Sequence, residues 1–474
     1  MIKFMIFILA FSVAGCGRKL NSSLSTSQSN AWGIDCVGES IEDRLKSCIE
    51  GLEILKVENA GDNGINITMT LEQPVDHFSP KSSKFKQLLH LNYRNDSAPM
   101  VLVTTGYSMY STTRKEPSII LNANQLTIEH RYFGVSKPVD LDWSKLNVKQ
   151  SAYDFHQVTI AFKKIFKGSW INTGASKGGM TSVYHRHHFP NDLDGTVAYV
   201  APMSFSDQDG RYNDFLDQVG GQTYLQCRGD LLRFQREIIN RKDKLAPFLK
   251  GNYTKFAGGK IGAIEVASSE IRFTFWQYGK PQDCELLKSQ EVDDQQFFDT
   301  FAKISKIEDS YNDETLDFFA SYYFQSATEL GGPAIDRKNI EDIVSFPENL
   351  SFKPYLPAGS GDYQYSNKTM LDVASWVDQN SEKIMYIYGE FDPWSAGKFD
   401  LGQSTQRDSL VFTAPAGNHG AKIAGLVDSE KLQAISKLKK WANVSEFNGL
   451  DTLDLDLTGS ESEAVETERY GLRP

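Results

Sequence analysis

The chain has 474 residues, 40% of them hydrophobic and 23% charged, with a formal net charge of -11. That is enough apolar material for one elaborated domain or two, and it excludes a disordered chain. The acidity, with no basic stripe and no phosphate-cradling loop, excludes nucleic acid as a partner.

Lys3 precedes the apolar run Phe4–Phe11, and Val13-Ala14-Gly15-Cys16 follows it. The run is too short to span a bilayer and has the build of a signal peptide, so residues 1–15 are read as one. Small residues directly before a cysteine resemble the bacterial lipobox, which makes Cys16 the lipidated first residue of the mature chain. Residues 16–50 then form a lipid-anchored tether, rich in Ser and Asn, and an N-terminal segment. The expected location is a bacterial membrane reached by export: outer membrane, periplasm or cell surface, with contact to lipid only through this anchor. With Cys16 set aside, Cys36, Cys48, Cys227 and Cys284 remain, an even number suited to an oxidising compartment. Three pairings are open, and proximity favours Cys36 with Cys48 and Cys227 with Cys284. No C-x-x-C pair is present, so no zinc site is expected, and no other metal or cofactor is implied.

Residues 51–205 read as the first part of an α/β core. Apolar runs bounded by polar loops predict strands at Ile65–Leu71, Gln87–Tyr93 and Met100–Thr104. Asp76 and His77, as neighbours, point to opposite faces of a strand, which favours a structural role over a paired catalytic one. After the third strand, Gly106 permits close approach, and the Tyr107 N–H is the candidate second oxyanion donor. Another strand from Gln125 runs into Glu129-His130-Arg131, where a scaffold ion pair between Glu129 and Arg131 is expected. A helix over Ala152–Phe166 leads to Ser169–Met180. There Gly174-Ala175-Ser176-Lys177-Gly178 has the G-x-S-x-G form of a nucleophile elbow, between a strand and a helix. Ser176 would stand at a helix N-terminus, with the Lys177 N–H as first oxyanion donor. The histidines at 185, 187 and 188 on that helix share no face with a carboxylate and are read as solvated or edge-packed.

From 206 to 375 the strand pattern gives way to aromatic-rich helical stretches such as Ile271–Tyr278 and Leu316–Phe324, read as a helical cap inserted between core strands. Residues 376–445 resume the core: the strand Lys383–Tyr388 is followed by Asp392, and the strand Ser409–Thr413 by His419. Residues 446–474 form an acidic tail. The order Ser176, Asp392, His419, each just after a strand, is that of α/β-hydrolases. A serine hydroxyl is a weak nucleophile until a base takes its proton; His419 is that base, and Asp392 fixes its tautomer.

At Glu72–Phe78, Glu129–Gly134, Gly174–Thr181, Gly389–Trp394 and Gly417–Gly420 the chain resembles the secreted bacterial serine peptidases typified by prolyl tri- and tetrapeptidyl aminopeptidase. More distantly it resembles the lysosomal Pro-X carboxypeptidase and dipeptidyl peptidase group. The resemblance implies an α/β-hydrolase fold and an exopeptidase that releases tripeptides, or tetrapeptides, from free N-termini, with a preference for Pro before the cut. An esterase or lipase on the same fold, and a catalytically dead surface binding protein, are the competing readings. An enzyme that counts residues must hold the substrate ammonium at a fixed distance, which calls for a carboxylate. Glu329, in a segment resembling a cap motif of the distant group, is the candidate, with Glu129 in reserve. Oligomeric state is not legible here.

Overall fold

A computed structural model describes residues 36, 38–61, 64–288 and 291–445. The expected signal peptide, Cys16 and the acidic tail lie outside them. The strands are β1 (Leu52–Asn59), β2 (Ile65–Pro74), β3 (Lys84–Tyr93), β4 (Met100–Thr104), β5 (Asn124–Ile128), β6 (Trp170–Ala175), β7 (Gly195–Tyr199), β8 (Ile384–Gly389) and β9 (Leu410–Ala414). They form one sheet in the order β1-β2-β3-β5-β4-β6-β7-β8-β9. The first three strands meander antiparallel, whereas β5, β4, β6, β7, β8 and β9 run parallel. Parallel strands need crossovers that cover both faces, and β4 to β8 are accordingly buried along their whole length. This is the α/β-hydrolase fold.

The labelled helices are α1 (Ile41–Cys48), α2 (Val148–Phe162), α3 (Lys177–His188), α4 (Leu225–Leu245), α5 (Lys260–Tyr278), α6 (Asp294–Ser305), α7 (Lys368–Gln379) and α8 (Asp428–Trp441). Helix α2 starts four residues before its expected first turn because Asn147 caps it, its side chain accepting from the Gln150 N–H. Strand β1 escapes the sequence pattern: its register shifts between Ile54 and Lys56, which breaks the two-residue alternation of Leu52, Ile54 and Val57.

Among the described residues no strand forms between β7 and β8, and the segment carries its own core. Phe234, Ile264, Ile271, Phe297 and Leu316 pack there, joined by Phe391 from the loop after β8. Helix α7 belongs to the sheet instead. Its Met370, Val373 and Val377 pack with Ile384 and Tyr386, so a cap boundary at 375 falls inside a helix that covers the sheet. Disulfides join Cys36 to Cys48, beside α1, and Cys227 to Cys284, within the inserted helices. Such bonds persist in oxidising compartments, so the protein is exported. Among the described residues no helix is long and apolar enough to cross a membrane.

Two expectations are corrected. Arg131 does not pair with Glu129: its Nε and Nη2 donate to Asp154 at 2.6 and 2.7 Å, with both residues fully buried. His77 Nε2 meets the same carboxylate at 2.7 Å, so that part of the Gln73–Phe78 segment ties β2 to α2. His185 is neither solvated nor at an edge; it is wholly buried against Asp192, a residue beyond the end of its helix.

Candidate active site

Ser176 sits between β6 and α3 with φ 54° and ψ -126°, a conformation side chains rarely adopt, held by its N–H donating to Tyr199 O at 2.9 Å. The Thr104 hydroxyl, at the end of β4, donates to Gly178 O at 2.9 Å and ties the neighbouring strand to the turn. Gly106 follows with φ 74°, and a Cβ there would stand 2.5 Å from Gly178 N, so only glycine lets this loop press against the elbow.

Asp392 and His419 leave the ends of β8 and β9. The Phe391 N–H donates to Gly417 O at 2.8 Å, and a Cβ on Gly389 would lie 2.4 Å from the carbonyls of Gly417 and Asn418, so the two loops are in backbone contact. Asp392 is fully buried; one oxygen accepts from the Trp394 N–H at 3.1 Å and the other meets His419 Nδ1 at 2.8 Å. With the Nδ1 proton donated to the carboxylate, Nε2 is left as the basic nitrogen. Nε2 is buried without a hydrogen-bond partner among the described residues. Ser176 and His419 line one cavity of about 350 Å³, in the range of small-ligand sites. The Ser176 to His419 hydrogen bond is not closed in this structure, as is common before substrate binds.

Tyr107 and Lys177 line the same cavity. The Tyr107 phenol lies beside the Ser176 hydroxyl, and burial holds it well above its ordinary pKa, so it stays a neutral donor. The Lys177 ammonium, which no sequence argument singled out, is buried, donates to the Gly106 carbonyl and lies 4.9 Å from the centre of the Phe133 ring. Burial pulls its pKa well below that of an exposed lysine. A trans peptide sets C=O and N–H on opposite sides, so this contact fixes the direction of the Tyr107 N–H.

The two acids expected to bind an ammonium are engaged elsewhere. Glu329 accepts from the Val148 N–H at 2.8 Å and the Thr369 hydroxyl at 2.7 Å, joining α2 to α7 outside the cavity wall. Its backbone lies in a π-helical turn, Ser326–Leu330. Glu129 accepts from the N–H groups of Met109, Val135 and Ser136 and from the Ser136 hydroxyl, so it braces a loop. Among the acids that do line the cavity is Glu270 of α5, missed in the sequence although Glu270, Phe273, Thr274 and Gln277 have the i, i+3, i+4, i+7 spacing of one helix face. Helix α5 also touches the His419 loop directly: the His419 N–H donates to Gln277 O at 3.0 Å, and Asn418 Nδ2 donates to Tyr278 O at 3.1 Å.

The chain is 35% identical over 388 residues to the prolyl tri/tetrapeptidyl aminopeptidase of Streptomyces mobaraensis, covering 80% of each chain. Among solved structures it is similar to a proline iminopeptidase of Mycobacterium smegmatis, at 12% identity and TM-score 0.36, over 79% of this chain and 99% of that one. It is also similar to the peroxisomal hydrolase Lpx1 of Saccharomyces cerevisiae, at 11% identity and TM-score 0.35, over 86% and 96%. The sequence model of the PS-10 peptidase S37 family matches residues 36–451, a span that takes in the elbow, the inserted helices and the loops of Asp392 and His419. The chain belongs to the PS-10 peptidase S37 family.

Proposed function

We propose that this serine peptidase releases tripeptides from the free N-termini of peptides, with Ser176, His419 and Asp392 as its triad. The observation that carries the reading is the convergence of the buried Asp392–His419 pair and the strained Ser176 turn on one cavity walled by inserted helices. Similarity to an enzyme named for tri- and tetrapeptide release supports the substrate class, and its name supports a preference for Pro before the cut.

In this reading His419 Nε2 takes the Ser176 proton as the hydroxyl oxygen attacks the carbonyl of the third residue, and Asp392 stabilises the imidazolium. The Lys177 and Tyr107 N–H groups receive the negative oxygen. His419 then returns the proton to the leaving amine, and a water molecule, deprotonated by the same nitrogen, hydrolyses the acyl-enzyme. Incubation with a peptide library and mass spectrometry tests the reading: tripeptides leave from free N-termini and none leaves with Ser176→Ala. Internal cleavage, or ester hydrolysis without amide hydrolysis, would overturn it.

The enzyme acts from a membrane surface, held by lipid on Cys16. The full-length protein then partitions into detergent and Cys16→Ser does not; equal partitioning of the two would remove the anchor.

A further inference from the structure

The cavity that Ser176 and His419 line holds, among the described residues, a carboxylate without a counter-charge. Asp336, also on the wall, faces Arg272 at 3.9 Å, and Asp309 is exposed. Among the described residues Glu270 has no cationic partner; its Oε2 accepts from the Tyr311 hydroxyl at 2.5 Å. The phenols of Tyr322, Tyr323 and Tyr355 lie within its field and line the same space, with the Tyr323 and Tyr355 rings 4.7 Å apart. A carboxylate among aromatic rings is poorly solvated when charged, and burial pushes the Glu270 carboxyl up to about 7. An incoming ammonium relieves that cost, through the charge and through the faces of the rings.

Distance along α5 adds a second argument. The C-terminal end of the helix accepts the His419 N–H at Gln277, and Glu270 stands seven residues earlier on the same face. At 1.5 Å per residue this is about 10 Å along the axis. Three extended residues span about 10 Å, two about 7 Å and four about 13 Å.

We propose that Glu270 binds the N-terminal ammonium of the substrate, and that the two helical turns from Glu270 to Gln277 set the three-residue length of the product. This rests on the exopeptidase reading and names the residue that enforces it.

The test compares a fluorogenic tripeptide amide with its N-acetylated form on wild type, Glu270→Gln and Glu270→Asp. Labelling of Ser176 by a fluorophosphonate reports whether each variant is folded. Wild type strongly prefers the free amine. In Glu270→Gln, kcat/KM on the free amine falls roughly 100-fold, the scale of truncating one partner of a desolvated charge pair, and most of the preference disappears. Glu270→Asp keeps the charge with a shorter reach and gives an intermediate loss. If Glu270→Gln fails to label, Glu270→Asp carries the test alone: a narrowed preference supports the proposal, and an unchanged one overturns it. Equal loss on both substrates, or a preserved preference in a labelled variant, overturns the role of Glu270 and leaves the exopeptidase reading standing. Equal cleavage of the two substrates by wild type overturns both.

Discussion

The sheet and the inserted helices meet across one cavity with opposite chemistry. On the sheet side the groups that position the site are held: Asp392 by His419 and the Trp394 N–H, Gly178 O by Thr104, and Gly106 O by Lys177. On the helix side tyrosines surround a carboxylate that, among the described residues, lacks a cation. A reacting group gains from donors fixed before the substrate arrives, because no reorganisation remains to be done. A group that binds a charged end of the substrate gains from being unsatisfied until that end arrives. Under the proposed mechanism the sheet side cleaves the bond and the helix side chooses what is cleaved. They are mechanically joined where the His419 N–H donates to the last turn of α5.

Mutations on the two sides should separate kcat from substrate choice. Ser176→Ala, His419→Ala and Asp392→Asn should each lower turnover by roughly 10⁴-fold or more, because the members of the proposed triad act as a unit. Their thermal unfolding should stay near that of wild type; retention of substantial peptidase activity by purified Ser176→Ala would remove the nucleophile assignment. The roughly 100-fold loss expected for Glu270→Gln comes next, confined to substrates with a free amine.

Lys177→Met tests whether the buried ammonium orients the Tyr107 N–H. We expect kcat to fall about tenfold with KM nearly constant, since a misaimed donor weakens the transition state more than the bound substrate. A rise in KM at constant kcat would show that Lys177 shapes binding instead.

The smallest effect sharpens the contrast most. The Glu270 carboxyl is raised from 4.5 to about 7, so the native state holds its proton more tightly than the unfolded chain. Its contribution to stability is therefore present below 4.5 and lost as pH rises through 7. The phenols facing it, Tyr311, Tyr322, Tyr323 and Tyr355, are raised above their ordinary value and stay neutral throughout that window. Glu270→Gln should melt roughly 2 °C higher than wild type at pH 8, with the gain shrinking toward pH 4.5, as calorimetry would show. A variant less stable than wild type at pH 8 would mean that the charge is satisfied by a partner.

Much of the sheet was legible because buried parallel strands are continuous apolar runs, as in Met100–Thr104 and Ile384–Gly389. Strand β1 was not, because its bulge disturbs the alternation on which a reading depends. The elbow at Ser176 was legible since glycine spacing, strand and helix all lie within twelve residues of chain. Glu129 and Glu329 show the opposite case: an acid in a familiar-looking segment says nothing of what its oxygens accept, and both accept from scaffold groups.

The class of fold, the chain order of Ser176, Asp392 and His419 and the family are legible without coordinates, because each is written in local patterns: apolar runs, turn residues and short motifs. Long-range packing decided which acid, among the described residues, lacks a cationic partner, that Lys177 reaches the Gly106 carbonyl, and that α5 links the His419 loop to Glu270. The physical reason is that hydrogen-bond satisfaction and desolvation depend on groups far apart in the chain; burial raises the proton affinity of Glu270 and the Tyr311 hydroxyl, forty-one residues away along the chain and in direct contact in space, offsets part of that rise.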